Sequence, residues 1–257
     1  MAIESDHDKQ SLHATQESLA NATQKSQAKA APPASLTGMR EAFQRELAEI
    51  ERRLLDGLAG AASTLTRLAP ALADPSLLAS SSVESSGALL RETTLTASHQ
   101  LFVVGARQAP VAGDLRWLMA MLEITDHAAR IANQLDLIAE QLHEINPEQR
   151  YRTTINDQLS SMASLASELL TKACAAFAER DETAAGALAH EDDAIDRLNR
   201  EIFRIAADEG GTPAARETAM RQILMARSLE RLGDNAVDIA EFAAFLVTGE
   251  LTELSQA

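Results

Sequence analysis

The positions of the prolines are the feature that most constrains how this chain can fold. After Pro32 and Pro33, prolines occur only at 70, 75, 110, 147 and 213. Proline is tolerated in the first turn of a helix and disfavoured in its interior, so each one marks an expected helix boundary. With Gly210-Gly211 and the charged break at Arg180-Asp181, they predict helices over residues 38–72, 76–108, 110–146, 154–179, 182–208 and 213–248.

Composition and periodicity support an all-α fold. Aromatic residues make up only 3% of the chain, too few for a sandwich or barrel, while hydrophobic residues make up 46%, enough for a core. An apolar stripe with helical spacing is formed by Leu188, Ile195, Leu198, Ile202 and Ile205. Six helices of about 30 residues suit two antiparallel three-helix bundles.

An internal repeat agrees with that architecture. Arg130-Ile131 matches Arg231-Leu232, and Ile138-Ala139-Glu140 matches Ile239-Ala240-Glu241, both at an offset of 101 residues. We therefore predict two tandem three-helix repeats, over residues 39–148 and 149–250. Residues 1–38 are rich in Ser, Gln and Thr and lack apolar periodicity, so we predict a disordered tail, with Thr37 as the first helix cap.

Charge and cysteine content exclude several classes of protein. Against 38 acidic residues there are 23 Lys and Arg, a formal charge of −15, which disfavours binding to nucleic acid or to anionic lipid. A single cysteine excludes an internal disulfide. The sequence has neither a signal-peptide pattern nor an apolar run of the about 20 residues that cross a bilayer, so we expect a cytoplasmic protein without membrane insertion.

Four acidic residues are the candidate functional group. Asp192 and Asp196 are four residues apart, as are Glu230 and Asp234, so each pair shares one face of its helix. Like charges at this spacing repel, and a hard cation bound between the two helices would offset the repulsion. The alternative is a solvated ion-pair face, since Arg227 and Arg231 flank Glu230. Gly233, in the middle of the helix, favours a close approach by another helix.

Other motifs are less informative. Glu140 and His143 have the Glu-x-x-His spacing of di-iron bundles, but such a site needs two of these motifs and the helical region supplies one. An oxidase or metal store of that class remains an alternative function. No phosphate-binding glycine loop, nucleotide fingerprint or catalytic triad pattern is present, so nothing in the sequence demands catalysis.

Three segments resemble the PhoU family of phosphate-signalling proteins: MREAFQRELAEI from Met39, ARQAPVAGDLR from Ala106, and MARSLERLGDNAVDIAEF from Met225. The resemblance covers roughly residues 39–250 and implies two three-helix bundles related by pseudo-symmetry. In the second segment, Pro110 suits the start of the third helix, Asp114 suits its positive end, and Arg107 and Arg116 suit local ion pairs.

The resemblance also implies a metal site. Members of the family bind iron or other divalent metals through paired E/DxxxD motifs, which the second repeat matches with Asp192, Asp196, Glu230 and Asp234. All-oxygen ligands favour iron, manganese or magnesium. In the first repeat the corresponding positions are Gly87, Arg91, Ala129 and Asn133, which cannot form an anionic cage. We therefore predict no metal cluster there, with Arg91 supplying the positive charge instead.

The function implied by the resemblance is that of a regulatory adaptor and not an enzyme. It would restrain phosphate uptake and the phosphate-starvation response when phosphate is plentiful. The implied partners are the ATPase subunit of the phosphate ABC transporter and a sensor histidine kinase, and the implied assembly is a homodimer.

Overall fold

A computed structural model of the chain describes residues 34–74, 81–108, 110, 112–145, 154–208 and 211–250. Within these ranges the chain is all helical, which confirms the predicted fold class. The helices are α1 (Ala34–Ala73), α2 (Ser81–Gln108), α3 (Gly113–Glu144), α4 (Thr154–Glu179), α5 (Glu182–Asp208) and α6 (Pro213–Thr248). The last three have the predicted bounds. In the part of the chain described, no helix is long and apolar enough to span a membrane.

Some predicted boundaries were wrong. Helix α1 begins at Ala34, not at 38, so Thr37 lies inside the helix and does not cap it. Residues 1–33 of the predicted tail lie outside the described residues. Pro70 lies within the last turn of α1, where its carbonyl accepts a hydrogen bond from the Asp74 N–H at 3.0 Å. Helix α3 begins three residues after Pro110, because Ala112 has a positive φ of 50° and so lies outside the helical conformation.

The chain divides into two compact units, residues 1–45 and 46–257. The first unit contains the described turns of α1 from Ala34 to Arg45. The second contains the rest of α1 and the other five helices. Most of both predicted repeats therefore belongs to the second unit, and the site described below lies entirely within it.

Helix α6 has the most extensive packing in this second unit. It packs against α3, α4 and α5, while α2 packs against α3 and α4 against α5. On α5, Leu188, Ile195 and Ile202 of the predicted stripe are buried, and Leu198 and Ile205 are half-buried. This buried stripe fixes the rotation of α5 about its own axis, and so decides which α5 side chains face α6.

Several polar contacts join the repeats, and two of them lie between helices of corresponding position or at a buried histidine. The hydroxyls of Thr66 on α1 and Ser167 on α4 are hydrogen bonded at 2.8 Å, and these two residues are separated by the repeat offset of 101. Between α3 and α6, buried His127 Nδ1 lies 3.0 Å from Asn235 Oδ1. Buried polar groups need partners, so these contacts constrain how the two bundles are placed against each other.

Candidate metal site

The four predicted acids lie where α5 packs against α6. Asp192 projects directly onto the α6 backbone at Gly233: a Cβ atom at Gly233 would overlap Asp192 Oδ1 and lie 3.1 Å from Ile195 Cδ1. The glycine therefore leaves room for the Asp192 and Ile195 side chains where α5 packs closely on α6. This confirms the expectation drawn from its position in the middle of a helix.

The four carboxylates differ in their exposure to solvent. Glu230 is only 8% exposed and Asp192 is half-buried, whereas the Asp196 side chain is 38% exposed and Asp234 is exposed. Two buried oxygens, Asp192 Oδ1 and Glu230 Oε2, have no hydrogen-bond partner. Buried charged oxygens are costly unless they are paired, so these two atoms need a proton or a cation.

The acids perturb one another across the helix interface. Burial, followed by the charges of Asp234, Asp196 and Glu230, raises the pKa of Asp192 to about 7. The pKa of Glu230 is raised by burial and then by Asp234. The pKa of Asp234 is raised by partial loss of solvent around its carboxylate, although the residue as a whole is exposed, and then by Asp196. Arg227 and Arg231 act in the opposite direction on both. The raised pKa values indicate that the two arginines do not balance the negative charge of the buried carboxylates.

Arginines satisfy only the outer side of this cluster. Arg227 donates to Glu230 Oε1, and Arg200 donates to Asp196 Oδ2 at 3.2 Å. Ion pairs of the kind considered in the sequence analysis are thus present, but Asp192 Oδ1 and Glu230 Oε2 still have no hydrogen-bond partner. As the side chains stand, no three His, Cys, Asp or Glu residues in the described ranges converge as metal ligands do. Binding a cation would therefore require the carboxylates to reorient, and an all-oxygen set is chemically suited to a hard divalent ion.

The first repeat has a different arrangement at the corresponding place. A Cβ atom at Gly87 on α2 would overlap Asp136 Oδ1 and lie 3.2 Å from the carbonyl oxygen of Ala132. Ala132 precedes Gly233 by the repeat offset of 101, so Gly87 occupies the position that Asp192 has in the second repeat. Arg91, at the Asp196 position, forms an ion pair with Asp136 on α3.

Asp136 was missed in the sequence analysis. Its counterpart at the same offset is buried Val237, so it belongs to no repeated motif. The signal that could have found it was the reversal of charge at Arg91, because a cation facing a packed helix calls for an acid opposite.

Comparison with known proteins identifies the family. The family model described as PhoU domain matches residues 159–243, which contain all four acids. A Mycobacterium tuberculosis protein, phosphate-specific transport system accessory protein PhoU homolog 2, is 31% identical over 82% of this chain and 99% of its own length. This chain belongs to the PhoU family. A Mycobacterium leprae PhoU homolog 1 is 29% identical over 84% of this chain and 96% of its own.

A solved structure supports the fold independently. The phosphate transport system regulatory protein PhoU from Streptococcus pneumoniae superposes with a TM-score of 0.67 at 22% identity, covering 82% of this chain and 99% of that one. At this identity the likeness concerns the fold. It agrees with a PhoU arrangement of tandem helical bundles.

The Ala106–Arg116 segment of this PhoU-family chain makes long-range contacts, so the predicted local ion pairs were wrong. Arg107 pairs with Glu46 on α1 at 3.5 Å. Arg116 donates to the Leu246 carbonyl at 3.5 Å, beside Gly249 at the end of α6. A cation at a helix C-terminus is favourable. Asp114 lies in the first turn of α3, as predicted.

The remaining candidate residues lie outside the cluster of four acids. Glu140 and His143 are both exposed near the end of α3, so they do not face a bundle interior as di-iron ligands would. Burial raises the pKa of the Cys174 thiol to about 12, which disfavours the reactive thiolate. His127, which the sequence analysis did not single out, lies 3.3 Å from Asp238 Oδ2, one turn beyond Asp234.

Proposed function

We propose that this protein is a PhoU-type regulatory adaptor that restrains phosphate uptake and phosphate-starvation signalling. The observation that carries the proposal is end-to-end similarity to relatives named phosphate-specific transport system accessory proteins, 31% identical over 219 residues in the Mycobacterium tuberculosis case. An accessory protein acts through the surfaces it presents. The proposal therefore assigns no catalytic residues and no enzymatic activity.

The proposed partners are the ATPase subunit of the phosphate ABC transporter and a sensor histidine kinase. Support comes from the shape of the elements: helices of 26 to 40 residues present long faces on which partner helices can pack. The homodimer and the cytoplasmic location stay predictions that accompany this pair of partners.

The proposal includes one divalent metal site in the second repeat. Asp192 and Asp196 from α5 and Glu230 and Asp234 from α6 would hold iron, manganese or magnesium, and a bound cation would supply the positive charge that Asp192 Oδ1 and Glu230 Oε2 lack. Carboxylates from two helices on one ion would also fix the spacing of α5 and α6. The support is chemical, since the oxygens are of the right type and on facing helices.

Deletion in the native host tests the regulatory role. Without the gene, we expect transcription of a phosphate-starvation reporter and phosphate uptake to remain high in phosphate-rich medium. Expression of the wild-type chain should restore repression. Normal repression in the deletion strain, with no binding of purified protein to either proposed partner, would contradict the proposal.

A further inference from the structure

The turn between α4 and α5 is built around Arg180, which has a left-handed backbone with φ of 58°. The Arg180 N–H donates to the Phe177 carbonyl at 3.2 Å, and the Asp181 N–H donates to the Ala176 carbonyl at 2.9 Å. This pair of bonds ends a helix before a left-handed residue, and that residue is usually glycine because a Cβ atom strains the conformation. The backbone of this turn therefore favours glycine where the chain has arginine.

The Arg180 side chain makes contacts that glycine could not provide. Its guanidinium donates to both carboxylate oxygens of Glu51 on α1, at 3.0 and 2.7 Å. It also lies over the Phe177 ring, 4.5 Å from the ring centroid, and donates to the Phe177 carbonyl. The Glu51 side chain is only 16% exposed and also accepts the Trp117 indole N–H from α3. The residue that precedes α5 is thus fixed to two helices of the first repeat.

Helix α5 has few buried side chains that hold it in place. Its buried residues are Ala185, Leu188, Ile195 and Ile202, whereas α4 and α6 each bury many more. The acids weaken its contact with α6, since burial and then the charges of its neighbours raise the pKa of Asp192. Apolar packing therefore holds α5 less firmly than α4 or α6, and the attachment at its first turn matters more.

The position of α5 decides whether its two acids face those of α6. Asp192 fits against Gly233, where a single added Cβ atom would overlap its carboxylate. Asp192 follows Arg180 by twelve residues. At 1.5 Å per residue it lies about 18 Å along the helix from the turn. Because a packed helix moves as a stiff element, a shift at the turn is carried to Asp192 and Asp196.

We propose that Arg180 is a positioning residue for the metal site: by fixing the start of α5 to Glu51, it holds the two α5 acids opposite the two α6 acids. This inference rests on the proposed metal site and gives the first repeat a role in it. The coupling is reciprocal, so a cation that draws α5 onto α6 also strengthens the contact between Arg180 and Glu51.

Arg180→Gly separates this role from stabilisation of the turn alone. Glycine relieves the left-handed strain, so a purely local role predicts slower or unchanged hydrogen exchange in α5. Loss of a positive charge favours cation binding, so weaker binding would report a change of position. Glu51→Gln removes the ion pair from the other side and keeps an acceptor for Trp117. Lys172→Gln is the matched control, because it removes the exposed ion pair of 2.6 Å between Lys172 on α4 and Glu191 on α5.

Two measurements on the full-length protein test the proposal: Mn²⁺ affinity by titration calorimetry, and hydrogen–deuterium exchange of α5 amides with divalent ions chelated. We expect Arg180→Gly and Glu51→Gln each to bind Mn²⁺ about tenfold more weakly and to exchange α5 amides about tenfold faster, with little change in α6. Lys172→Gln should stay within about twofold of wild type in both measurements, as expected for a surface ion pair.

Wild-type exchange and wild-type Mn²⁺ affinity in both variants would overturn this inference and leave the proposed metal site standing. Faster exchange with unchanged affinity would show that Arg180 stabilises α5 without acting on the acids, and weaker binding with unchanged exchange would show that α5 does not carry the effect. Either result would also overturn the inference. Wild-type protein that binds neither Mn²⁺, Fe²⁺ nor Mg²⁺ would overturn the proposed metal site together with this inference.

Discussion

Asp192 and Gly233 form a matched pair of residues, because the carboxylate of one occupies the space where the other lacks a side chain. Gly233→Ala should place a methyl group against Asp192 Oδ1 and Ile195 and force the carboxylate aside. We expect this variant to lose about 1–2 kcal/mol of unfolding free energy, although alanine is the better helix former. Urea unfolding followed by circular dichroism measures the change.

Gly186→Ala is the matched control for that substitution. Gly186 lies inside α5, and a Cβ atom there would meet nothing within 4 Å. This variant should therefore gain about 0.5–1 kcal/mol, as expected for alanine replacing glycine in a helix. Equal stabilisation by both substitutions would show that α5 does not approach Gly233 closely.

The raised pKa of Asp192 predicts a pH dependence of stability when divalent ions are chelated. The folded protein holds the Asp192 proton up to about pH 7, whereas the unfolded chain releases it near pH 4. Raising the pH through this window should therefore lower the unfolding free energy. The expected loss is about 1–2 kcal/mol, since solvent screens a half-buried group.

Asp192→Asn tests this pH dependence, because asparagine does not titrate. The decline between about pH 4 and about pH 7 should become shallower in this variant. Asp193→Asn changes the exposed neighbouring residue and should leave most of the slope in place. Identical slopes in wild type and Asp192→Asn would show that burial does not perturb this carboxyl group.

The α2–α3 and α5–α6 helix pairs meet the same packing demand in different ways. In the first repeat the positive charge between the helices comes from within the chain, through the Arg91–Asp136 ion pair. In the second repeat Asp192 and Glu230 each leave a buried oxygen without a partner. The Arg91–Asp136 ion pair makes the α2–α3 interface independent of dissolved ions. The α5–α6 interface depends on a proton or a cation at Asp192 and Glu230.

This difference between the two helix pairs predicts that bound metal is held between α5 and α6. Asp192→Asn with Glu230→Gln should remove all metal that co-purifies with the protein, because we predict a metal site in the second repeat and none in the first. Arg91→Gln with Asp136→Asn should leave the metal content unchanged. Elemental analysis by inductively coupled plasma mass spectrometry gives both values. Metal retained by the first variant would show that a site exists outside the second repeat.

Glu51 connects elements from both repeats. Its carboxylate accepts the Trp117 indole N–H from α3 at 2.6 Å and the Arg180 guanidinium, from the residue after α4, at 2.7 Å. Glu51→Ala would leave two partly buried donors unpaired, so we expect a loss of about 2–3 kcal/mol. Trp117 is the only tryptophan, so its fluorescence reports unfolding at this junction.

The exposed residue Glu49 offers the matched control on the same helix. It pairs with Arg52 and Arg53 at the surface, and Glu49→Ala should change stability little. In wild type, fluorescence and circular dichroism should give coincident transitions, as expected if both repeats unfold together. A smaller effect at Glu51 than at Glu49 would mean that the junction does not hold the repeats together.

The sequence predicted most of the elements because their signals are local. Helices α4, α5 and α6 have the predicted bounds, and Pro213 begins α6 as predicted. The structure adds a cap at each end of α6: Thr212 accepts from the Ala215 N–H, and Gly249 follows the last turn with φ of 79°. A polar cap, a proline in the first turn and a left-handed glycine act within a few residues. The starts of α1 and α3 were misplaced, since Thr37 and Pro110 suggested boundaries that their surroundings did not enforce.

The candidate site was predictable in its residues but not in its electrostatics. Helical spacing alone places Asp192 with Asp196 and Glu230 with Asp234, and the mid-helix position of Gly233 predicted the close approach of another helix. It could not tell which oxygens would be buried without a partner, because that depends on the depth at which α5 packs on α6. The reversed charge at Arg91 called for an acidic partner, but spacing along one helix did not identify it as Asp136, which lies 45 residues later on another helix.

By itself the sequence determined most of the helices and which acidic residues share a helix face, because each of these depends on spacing along one stretch of chain. Only the tertiary structure decided that one repeat carries its own cation while the other has two unpaired buried oxygens, and that Arg180 reaches Glu51 on a distant helix. The physical reason is that burial and charge pairing are properties of the space between helices, which contacts between distant parts of the chain create.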